Sequence, residues 1–260
     1  MRLENSFIAV DGIGETTERR LWEAGITHWE AFDGSAPGIG PTKADRVRSF
    51  IDTAQERLAA RDAAFFEQRL PTASQWRLYG NFRAETCFFD IETTGLDPDR
   101  DEVTVVSFYD GTETTTLVSG RDLTTESLQA ALADVSLLVS FNGKQFDVPF
   151  LERNFALSID RPHLDLMYPC RQLDLTGGLK SIEQELGIDR DRPDLSGRDA
   201  VRLWHAYEAG DHSALETLIS YNREDTRNLE SLLEYVTTAR REQLLADISS
   251  TPLAFETPSR

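Results

Sequence analysis

The chain has 260 residues, 45 acidic against 27 basic side chains, a formal net charge of −18 and 40% hydrophobic content. That is enough for one large domain, or a domain with a small companion, around a sizeable core. It excludes helical membrane spanning, because no stretch approaches the roughly 20 apolar residues a membrane helix needs. The opening MRLENSFIAVDGIG has no continuous apolar run after its charge, unlike a secretory leader. Cys87 and Cys170 form no CxxC pair, which argues against a disulfide framework or a zinc site and favours a reducing cytoplasm.

In chain order, residues 1–60 read as short helices punctuated by glycine turns. Asp11-Gly12-Ile13-Gly14 precedes a helical run through Leu21 and Trp22. Pro37-Gly38-Ile39-Gly40-Pro41-Thr42 precedes a second helix, Lys43 to about Ala59. The Gly-Ile-Gly turns recur 26 residues apart, an internal repeat. Residues 61–82 read as a helical linker. From 83 the pattern changes. Residues 87–92 (CFFDIE), Glu102–Tyr109 (EVTVVSFY) and Thr114–Ser119 (TTTLVS) are three strands, with a turn at Asp110-Gly111. Leu123–Leu132 is a helix capped at Thr124-Thr125. Ser136–Phe141 (SLLVSF) is an apolar strand buried on both faces, broken by Asn142-Gly143. A helix from Val148 to Ala156, a short strand His163–Leu166 and a helical remainder follow. A strand meander followed by βαβ units predicts an α/β mixed sheet flanked by helices over 83–248, preceded by a small all-α domain. Residues 249–260 read as a flexible tail.

The stretch CFFDIETTGL places two acids, Asp90 and Glu92, within an otherwise buried strand. Residues i and i+2 of a strand share a face, so the two carboxylates project side by side. Buried together they repel and lose hydration unless a cation lies between them. Magnesium suits such a site, with hard oxygen donors completed by water and phosphate. Asp147 follows SLLVSF and the loop Asn142–Gln145, at the carboxyl end of a strand, where α/β sheets usually bind ligands. Tyr221 and Asp225 in YNRED stand four apart, on one helical face.

FFDIETTGL, FNGKQFD and YNRED resemble the three motifs of the DnaQ-like 3′–5′ exonucleases, within the ribonuclease H-like superfamily. Tyr221, four before Asp225, matches the tyrosine (DEDDy) class. The histidine class would need His at position 220, which is Ser. LTGGLKSIEQELGI, DAVRLWHAYEAGD and YNREDTRNLESLL resemble the YprB-like group more specifically, and the resemblance covers roughly 85–240. It implies a ribonuclease H-like fold and two ions of Mg²⁺ or Mn²⁺. Asp90 would bridge both ions, Glu92 and Asp225 would hold the first, and Asp147 the second. Tyr221 would orient the attacking water. Leu96 would wedge against the terminal base, with Thr93, Gly95 and Asn142 near the last nucleotide, and Lys144 would meet a phosphate. Asp165 matches no metal position of that pattern and is expected to support the site from behind or to be structural. His163, His205 and His212 are expected to be surface or packing residues, and Cys87 a core thiol.

The two glycine turns resemble the helix-hairpin-helix motif, which implies DNA binding through backbone amides at helix N-termini. The candidate residues are Gly12, Gly14, Gly38 and Gly40, with Lys43 and Arg46 beside the second copy; the first copy, with Asp11, Glu15 and Glu18, is more acidic. Lysine is confined to Lys43, Lys144 and Lys180, a balance that resembles cytoplasmic proteins of salt-loving archaea, where salt screens self-repulsion; a GC-rich genome, which also favours Arg over Lys, is the alternative. So acidic a surface weighs against nucleic acid as a partner, but binding through amides and local arginines does not require a basic whole. The combined expectation is a two-metal nuclease, a 3′–5′ exonuclease on DNA in the first place and RNA in the second, with single strands or 3′ ends as its partner and no membrane. A non-catalytic nucleic-acid-binding protein and a structure-selective endonuclease stand as the alternatives.

Overall fold

A computed structural model describes residues 1–246 and 248; the expected tail, 249–260, lies outside the described residues. The chain divides into two compact units. One is Met1–Arg83 with the chain from Tyr235 onward, and the other is Ala84–Glu234.

In the first unit the repeated glycine turns open helices as the pattern predicts. Gly12 and Gly38 take positive φ (83° and 79°), a backbone setting that glycine adopts without strain. Gly14 and Gly40 then cap α1 (Glu15–Glu23) and α2 (Pro41–Ala59), the latter with proline in its first turn. The stretch expected to be a helical linker is largely helical. Residues 61–82 hold α3 (Ala63–Glu67), a 3-10 turn (Thr72–Leu78) and α4 (Tyr79–Phe82), and they bury Phe66, Trp76, Leu78 and Phe82, with Phe66 stacked on Trp29 and tilted against Phe82. Arg77 seals the arrangement. Its Nη1 donates to Glu18 Oε1 at 2.8 Å, and Glu18 also accepts from Ser6 Oγ and from the Phe7 and Ile8 amides. Spacing had shown a helix here but not what its aromatic face packs against.

The second unit is built on a five-stranded mixed sheet of order β3-β2-β1-β4-β5. The strands β1 (Thr86–Thr93), β2 (Val103–Tyr109) and β3 (Thr114–Val118) form an antiparallel meander. After α5 (Thr125–Ala131), β4 (Leu137–Ser140) returns parallel to β1; after α6 (Asp147–Phe155), β5 (His163–Asp165) adds parallel to β4. The helices α7 (Met167–Arg171), α8 (Leu179–Leu186), α9 (Gly197–Glu208) and α10 (His212–Leu245) follow. Alternation along β1 divides its side chains between two layers. Phe89 and Ile91 join Val106, Phe108 and Leu117 in a core that includes Leu128 of α5 and Phe150 of α6. On the opposite face Glu92 pairs with Val105, whose cluster contains Trp204 of α9 and Leu218 and Tyr221 of α10. The two acids of β1 therefore point at the layer that carries the last acid motif.

Candidate active site

Pairing of β1 with β4 runs from Thr86–Leu137 to Phe88–Val139. Asp90 and Glu92 lie beyond it, and the register with β2 slips between Glu92 and Thr93. At the end of β4 the chain turns at Asn142, a left-handed residue (φ 63°). Gly143 lets this turn fold back tightly: a Cβ there would fall 2.1 Å from Ser140 Oγ and 3.3 Å from Asp147 Oδ2. Asp165, at the end of β5, holds the turn from behind. Its Oδ1 accepts from the Asn142 and Met167 amides at 2.7 and 3.1 Å, and its Oδ2 from the Lys144 amide at 3.2 Å. The turn delivers Asp147 as the first residue of α6, where its carboxylate accepts from the Ile91 amide of β1.

Donor oxygens of Asp90, Glu92 and Asp225 all lie within 4.8 Å of one another. These groups come from β1 and α10, more than 130 residues apart in sequence. Burial pushes the carboxyls of Asp90 and Glu92 well above the ordinary range, and repulsion from Asp225 and Asp147 adds to it. Asp147 is pushed up to about 7, chiefly by burial, and Asp225 to about 6, burial outweighing the opposing pull of Arg190. Burial likewise raises the Tyr221 hydroxyl, which then keeps its proton, and Tyr221 hydrogen-bonds to Asp225. A set of hard carboxylate oxygens with no thiol or imidazole among them fits Mg²⁺ or Mn²⁺.

The cleft over this cluster holds about 560 Å³. Thr93, Gly95, Leu96 and Asn142 line it, together with Asp147 and Tyr221. Leu96 is 83% exposed at its edge. Lys144 is not part of the lining, and its backbone is tied to Asp165 instead. His163 is buried against Ser140 Oγ at 2.7 Å and Cys87 is buried in the core, as packing residues; His205 pairs with Glu208 on the surface.

Three features escaped the sequence. Asn222, fully buried, donates from Nδ2 to Asp90 Oδ2 at 2.8 Å; its place beside Tyr221 in YNRED was the available signal. Ser196, Gly197 and Arg198, at the start of α9, also line the cleft. Arg190 inserts its guanidinium among the acids, donating to Glu183 and Asp225 with Glu224 at 3.8 Å. Nothing in the spacing of GIDRDR marks one of its arginines as buried.

In the first unit the two glycine turns lie beside each other's cations. Arg46 Nη1 and Lys43 Cε lie 3.5 and 3.9 Å from the position a Cβ would take at Gly12, and Arg20 Nη1 lies 3.6 Å from that position at Gly38. Each glycine turn thus sits beside basic side chains of the other repeat. Arg46 also meets Asp11 at 3.6 Å.

Residues 87–237 match the family model of the RNase_H superfamily, more than half of the chain, and the chain belongs to that superfamily. Among solved structures it is similar to the family B DNA polymerase from the hyperthermophilic archaeon Pyrobaculum calidifontis, at 20% identity and a TM-score of 0.48 over 58% of this chain and 24% of that one. It thus spans about a quarter of the polymerase's length. A structure described as the apo form of a nuclease is similar at 20% identity and a TM-score of 0.45, covering 65% of this chain and 82% of that one. Brucella melitensis NrnC bound to pGG gives 20% identity and a TM-score of 0.34, covering 68% and 94%. No curated protein matches the sequence.

Proposed function

We propose that this protein is a divalent-metal-dependent nuclease, and more specifically a 3′–5′ exonuclease of the tyrosine class that trims DNA ends. The observation that carries the reading is the convergence of Asp90, Glu92 and Asp225, donor oxygens within 4.8 Å, on the floor of an open cleft with Asp147 on its wall. Mutually repelling buried acids destabilise a fold, and a cation-dependent reaction explains their presence. In this reading Asp90, Glu92, Asp147 and Asp225 hold two ions of Mg²⁺ or Mn²⁺. When bound, the metal offsets charge on the scissile phosphate and its leaving oxygen and makes water more acidic.

The remaining roles belong to this chain's own side chains. Asn222 fixes the Asp90 carboxylate from behind through its amide. Tyr221, still protonated, offers a hydroxyl proton beside Asp225 and can orient an oxygen there. Leu96 presents an apolar edge on which a terminal base can rest, with Thr93, Gly95 and Asn142 beside it. Asp165 sets the loop that carries Asn142 and Asp147. In the first unit, the glycine turns and the neighbouring cations Arg20, Lys43 and Arg46 suit backbone phosphates, and we assign that unit to holding DNA. The agreement of three ordered motifs with the tyrosine-class pattern supports a catalytic nuclease over a non-catalytic binder, and a blocked 3′ end separates exonuclease from endonuclease.

The test is cleavage of 5′-labelled single-stranded DNA and RNA in high salt with Mg²⁺ or Mn²⁺, with and without a blocked 3′ end. A ladder shortening from the 3′ end, absent in Asp90→Ala and Asp225→Ala, is the expected result. Cleavage of blocked or circular strands would make the protein an endonuclease. Binding without cleavage would make it a binder on a nuclease fold.

A further inference from the structure

The acid cluster contains a cation of its own, and its bonding is unfinished. Arg190 is almost wholly enclosed, as is Glu183 of α8. The guanidinium spans two carboxylates: Nη1 donates to Glu183 Oε2 and Nη2 to Asp225 Oδ1. Two buried atoms are left without partners, Arg190 Nε and Glu183 Oε1. They are the complementary halves of a two-pronged arginine–carboxylate pair, the strongest geometry this ion pair can adopt. While Nη2 stays on Asp225, that pair cannot close. A structural ion pair left half-satisfied in the interior costs stability for no local return.

The same Asp225 belongs to the three-carboxylate cluster. A guanidinium on Asp225 and a divalent ion among Asp90, Glu92 and Asp225 are two cations drawn to one carboxylate. Like charges so close repel strongly in a poorly hydrated interior.

We propose that Arg190 is a positioning residue with two stations. Without metal it spans Glu183 and Asp225, holding the acids together; with a divalent ion bound it leaves Asp225 and closes a two-pronged pair on Glu183. This rests on the metal-dependent reading given above. Arg190 and the metal thus compete for Asp225, and Glu183 sets the outcome by accepting the displaced guanidinium. Arg190 is a partner of the acids and touches no substrate in this account.

Two substitutions at one ion pair then act in opposite directions. Arg190→Gln removes the competitor and tightens binding of metal. Glu183→Gln removes the second station, leaves Arg190 on Asp225 and weakens binding of metal. Mn²⁺ alone, titrated by calorimetry into the full-length protein without nucleic acid, reads both. The expected shifts in Kd are about tenfold each, the lower end of what neighbours of metal-holding side chains contribute. Arg190→Lys keeps the charge but cannot span two carboxylates with a two-pronged fork, and its Kd falls between those of the wild type and Arg190→Gln. Circular dichroism checks folding, and if Arg190→Gln does not fold, Arg190→Lys and Glu183→Gln decide the matter. Weaker Mn²⁺ binding in Arg190→Gln or Arg190→Lys, shifts of the same sign in both partners, or no shift in Glu183→Gln overturns the proposal and leaves Arg190 a fixed structural partner. Mn²⁺ binding in no variant, wild type included, overturns it together with the nuclease reading.

Discussion

Both units bury carboxylates, and they do so in opposite ways. Glu18, in the first unit, accepts from Arg77, from Ser6 Oγ and from two backbone amides. Donors from the turn at residues 6–8 and from Arg77 thus meet this carboxylate. Asp90, Glu92, Asp147 and Asp225 crowd one another instead; among the described residues the guanidinium in contact with any of them is Arg190, and burial drives their carboxyls upward. The difference separates architecture from chemistry. A buried acid whose oxygens are met by donors holds a fold together, whereas a buried acid met by other acids awaits a ligand.

The largest expected effect follows from the second kind. Asp90→Ala removes one of the three acids whose donor oxygens converge, and cleavage should fall by at least about a thousandfold. That corresponds to several kcal/mol of lost transition-state charge stabilisation. The same substitution relieves repulsion, so the metal-free protein should melt no lower than the wild type. A variant that lost activity and stability together would show that Asp90 is architecture after all.

Glu18→Gln is the converse. It strips the partner from the enclosed Arg77 and should cost about 3–5 kcal/mol, the usual penalty for breaking a buried pair from one side. Urea unfolding measures it. A loss below about 1 kcal/mol, the value of an exposed pair, would mean that water reaches Arg77 and that the contrast between the two units is false.

Titration sharpens the comparison further. The folded-state values of Asp147 and Asp225, about 7 and about 6, lie above the ordinary carboxyl value near 4. A raised folded-state value means that the folded protein binds protons the unfolded chain has already released. Stability from these groups is therefore present at low pH and is lost as pH rises from about 4 to about 7. Melting temperatures of the metal-free protein should fall between about pH 5 and 7, less steeply in Asp147→Asn, and added Mn²⁺ should remove the slope. A wild-type curve no steeper than that of Asp147→Asn would show that the acids already have counter-charges.

The fold of the second unit was legible because its strands are apolar runs with sharp turn signals, and β1 to β5 fall within a residue or so of their expected ends. The acids were legible for a related reason. Asp90 and Glu92 violate the apolar pattern around them, Asp147 follows a buried strand, and Tyr221 and Asp225 keep helical spacing, so each stands out within a few residues of sequence. What was not legible depends on distance along the chain. Arg190 meets Asp225 across 35 residues and Arg77 meets Glu18 across 59. An arginine's local sequence does not say whether its head is buried. Nor do the residues of 61–82 themselves show that Phe66 stacks on Trp29 of an earlier turn. Periodicity reports which face is apolar, and only the fold reports what covers it.

The smallest effect on the folded protein should come from Leu96. It is a large apolar side chain left 83% exposed at the edge of the cleft that holds the acids. Since it packs so little, Leu96→Ala should change stability by no more than about 0.5 kcal/mol, as surface substitutions do. Its role, if a terminal base rests on it, is realised in the complex alone. Truncation then removes about 1–2 kcal/mol of apolar contact, a rise of about tenfold in KM for a short oligonucleotide. Binding lost equally from ground and transition states leaves kcat as it was. The two readouts separate the possibilities. A raised KM with unchanged kcat and melting temperature makes Leu96 a base-binding edge. An unchanged KM would leave it a solvent-facing side chain of the Thr93–Leu96 turn, and the acids would then act on a phosphate whose sugar and base are held elsewhere in the cleft.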